Sequence, residues 1–307
     1  MPLDEKITLR TRLGFIGLGH LGSRIARRLV AAGFPMVVYD LDYRNAVELA
    51  HAGAEVARNP VELAKKVDVV LSCLPDESAV EAVYFGPGDV LRNAGNGTLI
   101  IELSTISPEF SRQLHQAAQK FNIAVLDLAV SGSTPSAQAG KLTLFGGGDR
   151  KVFESAESIC AAIASQWFYM GPSGSGVAMK LVVNTLLGVG MQALAEAVAL
   201  GLKLDLPRDL LFDTLARTAV VAPAHTGKLA SAKRDDYTAQ FPVRLMRKDF
   251  GLVLAAAARS GLSMPATKAA AAINAAEAAS GGEEDFSAVV RRMEHDAVAE
   301  SKLSPVA

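Results

Sequence analysis

The sequence predicts an α/β protein in which a doubly wound parallel sheet is followed by an all-α domain. Three observations predict this fold class. The first 170 or so residues alternate short β-rich runs with helical patterns, which is typical of a parallel sheet covered by helices. Residues 171–176, Gly-Pro-Ser-Gly-Ser-Gly, form a cluster of structure breakers. After this cluster the chain is alanine-rich and shows no strand pattern of convincing length. We therefore expect domains at residues 1–172 and 173–307.

Each element of the first domain follows from its hydrophobic pattern. β-rich apolar runs predict strands, and runs with one apolar face at helical spacing predict the helices between them. The predicted strands are residues 13–17, 36–40, 67–73, 98–103, 123–129 and 142–145. The predicted helices are residues 21–32, 44–52, 61–65, 77–83 and 108–121.

Composition narrows the classes of function. The chain has 307 residues, half of them hydrophobic, and 31 basic against 32 acidic side chains give a net charge of −1. The sequence has no run of basic residues that would bind a phosphate backbone, so nucleic acid is not an expected partner. Cys73 and Cys160 lie in apolar contexts without metal-ligand spacing, which favours reduced thiols and no metal. Residues 1–12 are polar and lack a secretory pattern, so we expect a cytoplasmic protein.

A glycine-rich turn lies between the first predicted strand and the first predicted helix. It has the pattern Gly-x-Gly-x-x-Gly, in which Gly17 makes the turn, Gly19 lets a pyrophosphate approach the backbone and Gly22 lets helix and strand pack closely. The helix N-terminus would then face the phosphates. The context of strand, loop and helix predicts a Rossmann-type dinucleotide site. Its backbone comprises Gly17, Leu18, Gly19, His20, Leu21 and Gly22.

An acidic residue follows the second predicted strand at the distance this site requires. Asp40 lies 21 residues after Gly19, close to the usual position of the carboxylate that binds the adenosine ribose. A carboxylate there repels a 2′-phosphate, so we expect NAD, with NADP as the alternative. Arg44, one helical turn on, would either reach such a phosphate or remain a solvated cation. The loops Leu74-Pro75 and Ser104-Thr105, at the carboxyl ends of later strands, are expected beside the nicotinamide half.

A lysine interrupts an apolar helical run after the breaker cluster. Lys180 and Asn184 are four residues apart and so share one face of a predicted helix over residues 177–204. Polar residues along this run argue against a membrane span and favour a buried helix at a domain junction. Dry surroundings lower the pKa of a lysine toward the working pH, as a general acid/base needs. On this helix alone, a lysine that extends its ammonium to water is an equally good interpretation.

With these features placed, the chain resembles the β-hydroxyacid dehydrogenase family, which includes 3-hydroxyisobutyrate dehydrogenase and is related to 6-phosphogluconate dehydrogenase. Four blocks in order carry the resemblance and together span most of the chain. They are residues 14–22, 127–133 (Asp-Leu-Ala-Val-Ser-Gly-Ser), 174–184 and 248–252 (Lys-Asp-Phe-Gly-Leu).

The resemblance implies hydride transfer between a nicotinamide and a small 3-hydroxy acid or the corresponding aldehyde acid. Lys180 would carry the alcohol proton, Asn184 would orient the substrate, and Ser131 with Gly132 would bind its carboxylate. The active site would lie between the two domains, and a homodimer or homotetramer is implied. The resemblance also places Ser133 near the substrate. It places Thr105 and Lys248 near both the substrate and the cofactor.

Two departures from the family pattern, and three alternatives, remain open at this point. Ala129 replaces a common proline, and Ser133 adds a side chain where a glycine usually faces the substrate, which puts the acid end of the substrate in doubt. Lys248 and Asp249 would otherwise be a solvent-exposed helical pair. The alternative functions are an NADPH-dependent semialdehyde reductase of the same family and a non-catalytic dinucleotide-binding scaffold.

Overall fold

A computed structural model describes residues 6–86 and 89–301, and for the last four of these the backbone only. Residues 1–5 and 302–307, at the outer ends of the two predicted domains, lie outside the described part. The chain divides into two compact units, Met1–Leu181 and Val182–Ala307. The division therefore falls inside the long helix, nine residues after the boundary expected from the breaker cluster.

The first unit is built on one sheet of eight strands within the described residues, in the order β3-β2-β1-β4-β5-β6-β7-β8. All neighbouring strands are parallel except β6 and β7, which are antiparallel. The predicted fold class, a doubly wound sheet followed by helices, is confirmed. The strands are β1 (Leu13–Ile16), β2 (Met36–Tyr39), β3 (Glu55–Val56), β4 (Val69–Ser72), β5 (Leu99–Glu102), β6 (Ala124–Ser131), β7 (Leu142–Gly148) and β8 (Ala164–Gly171).

Helices cover both faces of this sheet, each over its own hydrophobic core. The helices on one face share one core with the sheet, and the helices on the other face share a second core. Burial on both faces explains why the central strands are continuous apolar runs. The helices of the first core are α1 (Gly22–Ala31), α2 (Tyr43–Ala50), α7 (Thr134–Gln138), α8 (Arg150–Ser155) and α9 (Glu157–Ile163). The helices of the second core are α3 (Pro60–Ala64), α4 (Glu77–Tyr84), α5 (Val90–Asn93) and α6 (Pro108–Gln119).

Several elements of the first unit differ from the sequence prediction. The two-residue strand β3, the strand β8 and the short helices α5, α7, α8 and α9 were not predicted. Strand β7 also continues through Gly146, Gly147 and Gly148, which ordinarily would end a strand. A Cβ atom at Gly146 would lie 2.3 Å from the Phe153 ring, so packing of α8 requires this glycine. The glycines here serve close approach rather than a turn.

The second unit consists, within its described residues, of helices joined by loops, with one isolated β-bridge between Pro242 and Asp285, and its buried apolar side chains form a single core. Helix α10 (Ser175–Lys203) starts in the first unit and continues into the second. The others are α11 (Arg208–Leu215), α12 (Pro223–Lys233), α13 (Val243–Arg259), α14 (Pro265–Gly281), a 3₁₀ turn (Phe286–Ala288) and α15 (Val289–Ser301).

Helix α10 is the one helix in the described chain whose length and hydropathy would allow it to cross a membrane. We expected its polar residues to exclude a membrane span, but the mean hydropathy of the helix is still high enough for one. Core helices of soluble proteins pass the same test, and α10 contributes Met191, Leu194 and Val198 to the core of the second unit. Its buried amides Asn184 and Gln192 also fit a helix packed in protein.

Candidate active site

The glycine loop has the geometry that a pyrophosphate requires. Gly17 has φ +91°, and a Cβ there would lie 2.4 Å from the Cys73 carbonyl oxygen. A Cβ at Gly22 would lie 2.0 Å from the Gly17 oxygen, whereas Gly19 has nothing within 4 Å on that side. Two glycines are therefore needed for packing and the third leaves open space. No side chain caps the N-terminus of α1, so the loop fits the phosphates of a dinucleotide.

Asp40 follows β2 and connects that strand to the glycine loop. Its Oδ2 accepts the Leu18 N–H at 2.6 Å, and its Oδ1 accepts the Asp42 N–H at 2.8 Å and an Asn45 amide N–H at 3.2 Å. Arg44 does not extend freely, because its guanidinium binds Asp42 at 2.6 Å. That hydrogen bond lowers the pKa of Asp42. Two carboxylates therefore lie beside the expected ribose, and the cation near them is paired.

The predicted loops after β4 and β5 lie side by side. Ser72 and Glu102, the last residues of these strands, are register partners. The Leu74 N–H donates to Ser104 Oγ at 2.7 Å, which joins one loop directly to the other. Thr105 is half-buried in the second loop. The structure thus brings together the residues expected beside the nicotinamide.

A buried carboxyl group below these loops was not predicted. Glu102 is fully buried, and its carboxylate accepts the Ser72 hydroxyl at 2.5 Å and the Ser104 N–H at 2.8 Å. Burial raises the pKa of Glu102 to about 7 against these hydrogen bonds. The only signal in the sequence is a charged residue at the end of an otherwise apolar strand.

The predicted carboxylate site lies at the end of β6. Ser131 is the last residue of that strand, and the exposed Gly132 has φ +140°, which favours glycine. A Cβ at Gly132 would also lie 2.7 Å from a Leu142 methyl group. Ser133, the departure from the family pattern, is the N-cap of α7, and its Oγ lies 3.2 Å from Ser136 Oγ. Its added side chain therefore has a local role in starting that helix.

Asp127, earlier in the same strand, binds the start of α10. Its buried carboxylate accepts the N–H groups of Gly174 at 2.8 Å and Val177 at 3.1 Å. Burial raises the pKa of Asp127, and these hydrogen bonds oppose that shift. A Cβ at Gly176 would lie 2.3 Å from the Phe145 oxygen, so strand and helix are in close contact. This contact sets the position of the first turns of α10, which carry the half-buried Lys180.

Asn184 lies one helical turn beyond Lys180 and belongs to the second unit. It is buried, and its Nδ2 donates to Asp249 Oδ2 at 2.5 Å. Its Oδ1 has no hydrogen-bond partner in the described part of the chain, so it remains an acceptor. Lys248 pairs with the other Asp249 oxygen at 3.0 Å. Asp249 is 2 % exposed, and the alternative of a solvent-exposed pair at 248–249 is therefore wrong.

Two further polar side chains, those of Glu196 and His20, are exposed. Glu196 accepts a hydrogen bond from Gln192 on the exposed side of α10, which fits a structural charge. His20 is exposed in the glycine loop. Within the described residues no group of three or more His, Cys, Asp or Glu side chains could hold a metal ion.

Family models match both parts of the chain. Residues 12–171 match the NAD-binding domain of 6-phosphogluconate dehydrogenase, and residues 174–293 match the NAD-binding region of NADP-dependent 3-hydroxyisobutyrate dehydrogenase. The chain belongs to the β-hydroxyacid dehydrogenase family. It is thus an NAD(P)-dependent enzyme of this family, and the scaffold alternative is not supported.

Similar proteins agree with this assignment over nearly the full length. A 2-(hydroxymethyl)glutarate dehydrogenase of Eubacterium barkeri is 33 % identical over 91 % of this chain and 94 % of that protein. An NAD-dependent L-serine dehydrogenase of Pseudomonas aeruginosa is 37 % identical over 83 % of this chain and 88 % of its own. The structure of a 3-hydroxyisobutyrate dehydrogenase of Mycobacterium tuberculosis with L-serine has TM-score 0.84 and 33 % identity, covering 92 % of this chain and 99 % of that one.

Proposed function

We propose that this β-hydroxyacid dehydrogenase transfers a hydride between NAD and the primary alcohol of a small 3-hydroxy acid, or the corresponding aldehyde acid in reverse. The names of similar proteins support this substrate class. 3-Hydroxyisobutyrate, L-serine and 2-(hydroxymethyl)glutarate each carry a hydroxymethyl group on the carbon next to a carboxylate. The shared unit is therefore HO–CH₂–CH–COO⁻, with a variable third substituent.

A single contact in the first unit carries the proposal. Asp127 binds the first turn of the helix that bears Lys180, and the strand of Asp127 ends four residues later at Ser131. A proton carrier and a carboxylate site are thus both attached to β6. This arrangement suits a substrate whose alcohol and acid are separated by only two carbon atoms.

The proposed roles follow from the donors and acceptors at hand. Ser131, through its hydroxyl, and Gly132, through its N–H, bind the substrate carboxylate. Lys180 accepts the hydroxyl proton during oxidation and returns it to the carbonyl oxygen during reduction. Bound NAD supplies the hydride acceptor at its nicotinamide C4. Asn184, whose amide N–H groups are oriented by Asp249, offers its carbonyl oxygen to a polar hydrogen of the substrate.

We infer that NAD is preferred over NADP. Asp40 supports this preference as an acceptor for the ribose hydroxyls, and Asp42 adds a second negative charge close by. The pairing of Asp42 with Arg44 further weakens the nearby cation as a phosphate ligand. A semialdehyde reductase that works mainly with NADPH is therefore the weaker candidate.

The decisive experiment replaces the proposed proton carrier. Lys180→Met should lower kcat by roughly 10²- to 10⁴-fold for oxidation of 3-hydroxyisobutyrate and L-serine, because general acid/base catalysis is lost. NADH binding should be unchanged. Lys203→Met, at the exposed end of the same helix, is the matched control and should retain wild-type turnover. Wild-type turnover in Lys180→Met would contradict the proposed mechanism.

We also infer a homodimer or homotetramer in a reducing compartment such as the cytoplasm. The exposed apolar side chains of Val182, Leu186 and Leu200 on α10 support the oligomer. Cys73 and the buried Cys160 form no disulfide in the described part of the chain, which supports the compartment.

A further inference from the structure

A row of polar side chains crosses the carboxyl end of the sheet below the nicotinamide loops. Ser72 ends β4 and Glu102 ends β5, and the two are register partners in parallel strands. Their side chains therefore point to the same face of the sheet. Tyr84, at the end of α4, covers that face and is fully buried. A buried glutamate is costly, so its neighbours require explanation.

The hydrogen bonds of Glu102 lead to both loops. Ser72 Oγ donates to Glu102 Oε2 at 2.5 Å and lies 2.6 Å from the Tyr84 hydroxyl. The Ser104 N–H donates to Glu102 Oε1 at 2.8 Å, and Ser104 Oγ in turn accepts the Leu74 N–H at 2.7 Å. One carboxyl group therefore holds the base of the 104–105 loop directly and that of the 74–75 loop through Ser104.

We propose that Glu102 is a positioning residue that sets the placement of the two loops expected to contact the nicotinamide half of the cofactor. The role of those loops rests on the function proposed above, whereas their attachment to Glu102 does not. Glu102 is buried beneath the two loops, so it acts through Ser104 and Leu74. An apolar side chain at this position would leave the buried Ser104 N–H without its acceptor.

The charge of Glu102 affects the strength of this attachment. Burial, and to a smaller degree the charge of its β6 register partner Asp127, raise the pKa of Glu102 to about 7. The other titratable groups facing this row are Tyr84 from α4 and His115 from α6, whose Nε2 lies 3.8 Å from Asp127. Ionised Glu102 accepts charge-assisted hydrogen bonds from Ser72 and Ser104, which are about twice as strong as neutral ones. The loops should therefore be held more firmly at pH 8 than at pH 6.

The test compares wild-type protein with Glu102→Gln, which keeps the shape but not the charge. Amide hydrogen exchange without cofactor should be at least fivefold faster in peptides covering residues 72–76 and 103–107 of the variant at pH 8, after correction for intrinsic rates. The affinity for NADH, measured by fluorescence titration, should fall at least fivefold at pH 8. It should also lose the increase between pH 6 and pH 8 that we expect in the wild type.

Two further variants separate positioning from general damage. Ser72→Ala removes one hydrogen-bond donor and keeps the Glu102 carboxylate. Amide exchange in the same loop peptides should therefore be faster than in the wild type, but by a smaller factor than in Glu102→Gln. If Glu102→Gln does not fold, Ser72→Ala serves as the test. Thr98→Val replaces a buried polar residue just before the opposite end of β5 and should leave both readouts unchanged. Wild-type exchange and NADH affinity in Glu102→Gln would overturn the proposal. A wild-type protein that bound no NADH would instead contradict the proposed function, since the exchange data need no cofactor.

Discussion

At the scale of single residues, cofactor choice depends on how the cation near the ribose is held. Asp42→Asn removes one carboxylate and frees Arg44 from its ion pair. We expect the ratio of kcat/KM with NADP to that with NAD to rise roughly three- to fivefold, because an exposed charge has only a small effect on binding. Steady-state kinetics with both cofactors measures this ratio. Glu48→Gln, on the same helix, is the control, and an unchanged ratio in Asp42→Asn would show that Arg44 does not reach the phosphate position.

Asn184 combines a proposed role in the site with a structural one. Asn184→Ala removes the amide that donates to the buried Asp249, so a carboxylate loses a donor in a dry environment. We expect the free energy of unfolding to fall by about 1–3 kcal/mol and kcat/KM to fall as well. Urea denaturation measures the first and initial rates the second. Gln192→Ala is the control, because the Gln192 amide donates to the exposed Glu196 rather than to a buried carboxylate. It should lower the free energy of unfolding by less than Asn184→Ala and leave turnover unchanged.

The residues of the site differ in how far the sequence reveals them. The glycine loop and Asp40 follow from local spacing, because strand, turn and helix are contiguous. The resemblance supplies Lys180, Asn184, Ser131 and Gly132, whose roles remain predictions. Nothing in the sequence indicates that Glu102 binds Ser72 or that Asn184 binds Asp249, since these partners are 30 and 65 residues apart. Contacts of that kind arise only when the sheet and helices assemble.

At the scale of elements, the sheet carries a buried acid whose ionisation affects stability. In the unfolded chain a glutamate titrates near 4.5, whereas Glu102 in the fold titrates at about 7. The folded state therefore binds the proton more tightly, and stability falls as pH rises from about 4.5 to 7. The loss amounts to about 3 kcal/mol in order of magnitude, and it is complete above pH 7.

Glu102→Gln should remove this component of the pH dependence. Relative to the wild type, the free energy of global unfolding of the variant should rise between pH 5 and pH 8, because the variant has no charge to bury. Local exchange in the two loops reports the lost charge-assisted hydrogen bonds instead. Urea denaturation at both pH values measures the difference. A parallel pH dependence in the two proteins would show that Glu102 titrates normally.

Local patterning explains which elements were predicted. The six predicted strands all exist, because continuous apolar runs in a parallel sheet are distinctive. Strand β8 was missed because it lies at the sheet edge, where exposed and half-buried residues alternate. The predicted strand at residues 142–145 stops before the glycines that extend β7, because three successive glycines are not typical of a strand. Contacts with α8 and α10 require them. A local sequence pattern therefore cannot predict the ends of elements that are set by tertiary contacts.

At the scale of the whole molecule, α10 presents an apolar face to solvent in the single chain. Val182, Leu186 and Leu200 are 56 %, 72 % and 61 % exposed and fall on one side of the helix at spacings of four and fourteen residues. Exposed large apolar side chains on one side of a helix are typical of an interface between copies of a chain.

Leu186→Asp should therefore shift the protein toward the monomer. A charge buried between two copies would lack a partner and weaken their association. Multi-angle light scattering after size exclusion measures the mass of each species. Leu262→Asp, at another exposed leucine of the second unit, should not change the mass. A wild-type protein that is monomeric at micromolar concentration would contradict the inferred oligomer.

The contact between Asp127 and the start of α10 has a consequence for how this enzyme can diversify. The division into compact units falls after Leu181, so Lys180 is inherited with the nucleotide-binding part. A recombination event at residue 172 would separate the buried carboxylate of Asp127 from its three N–H donors at the start of α10, which are Gly174, Gly176 and Val177. An exchange after residue 181 would keep that joint intact. Relatives could then exchange helical parts while the proposed proton carrier stays on the nucleotide-binding part.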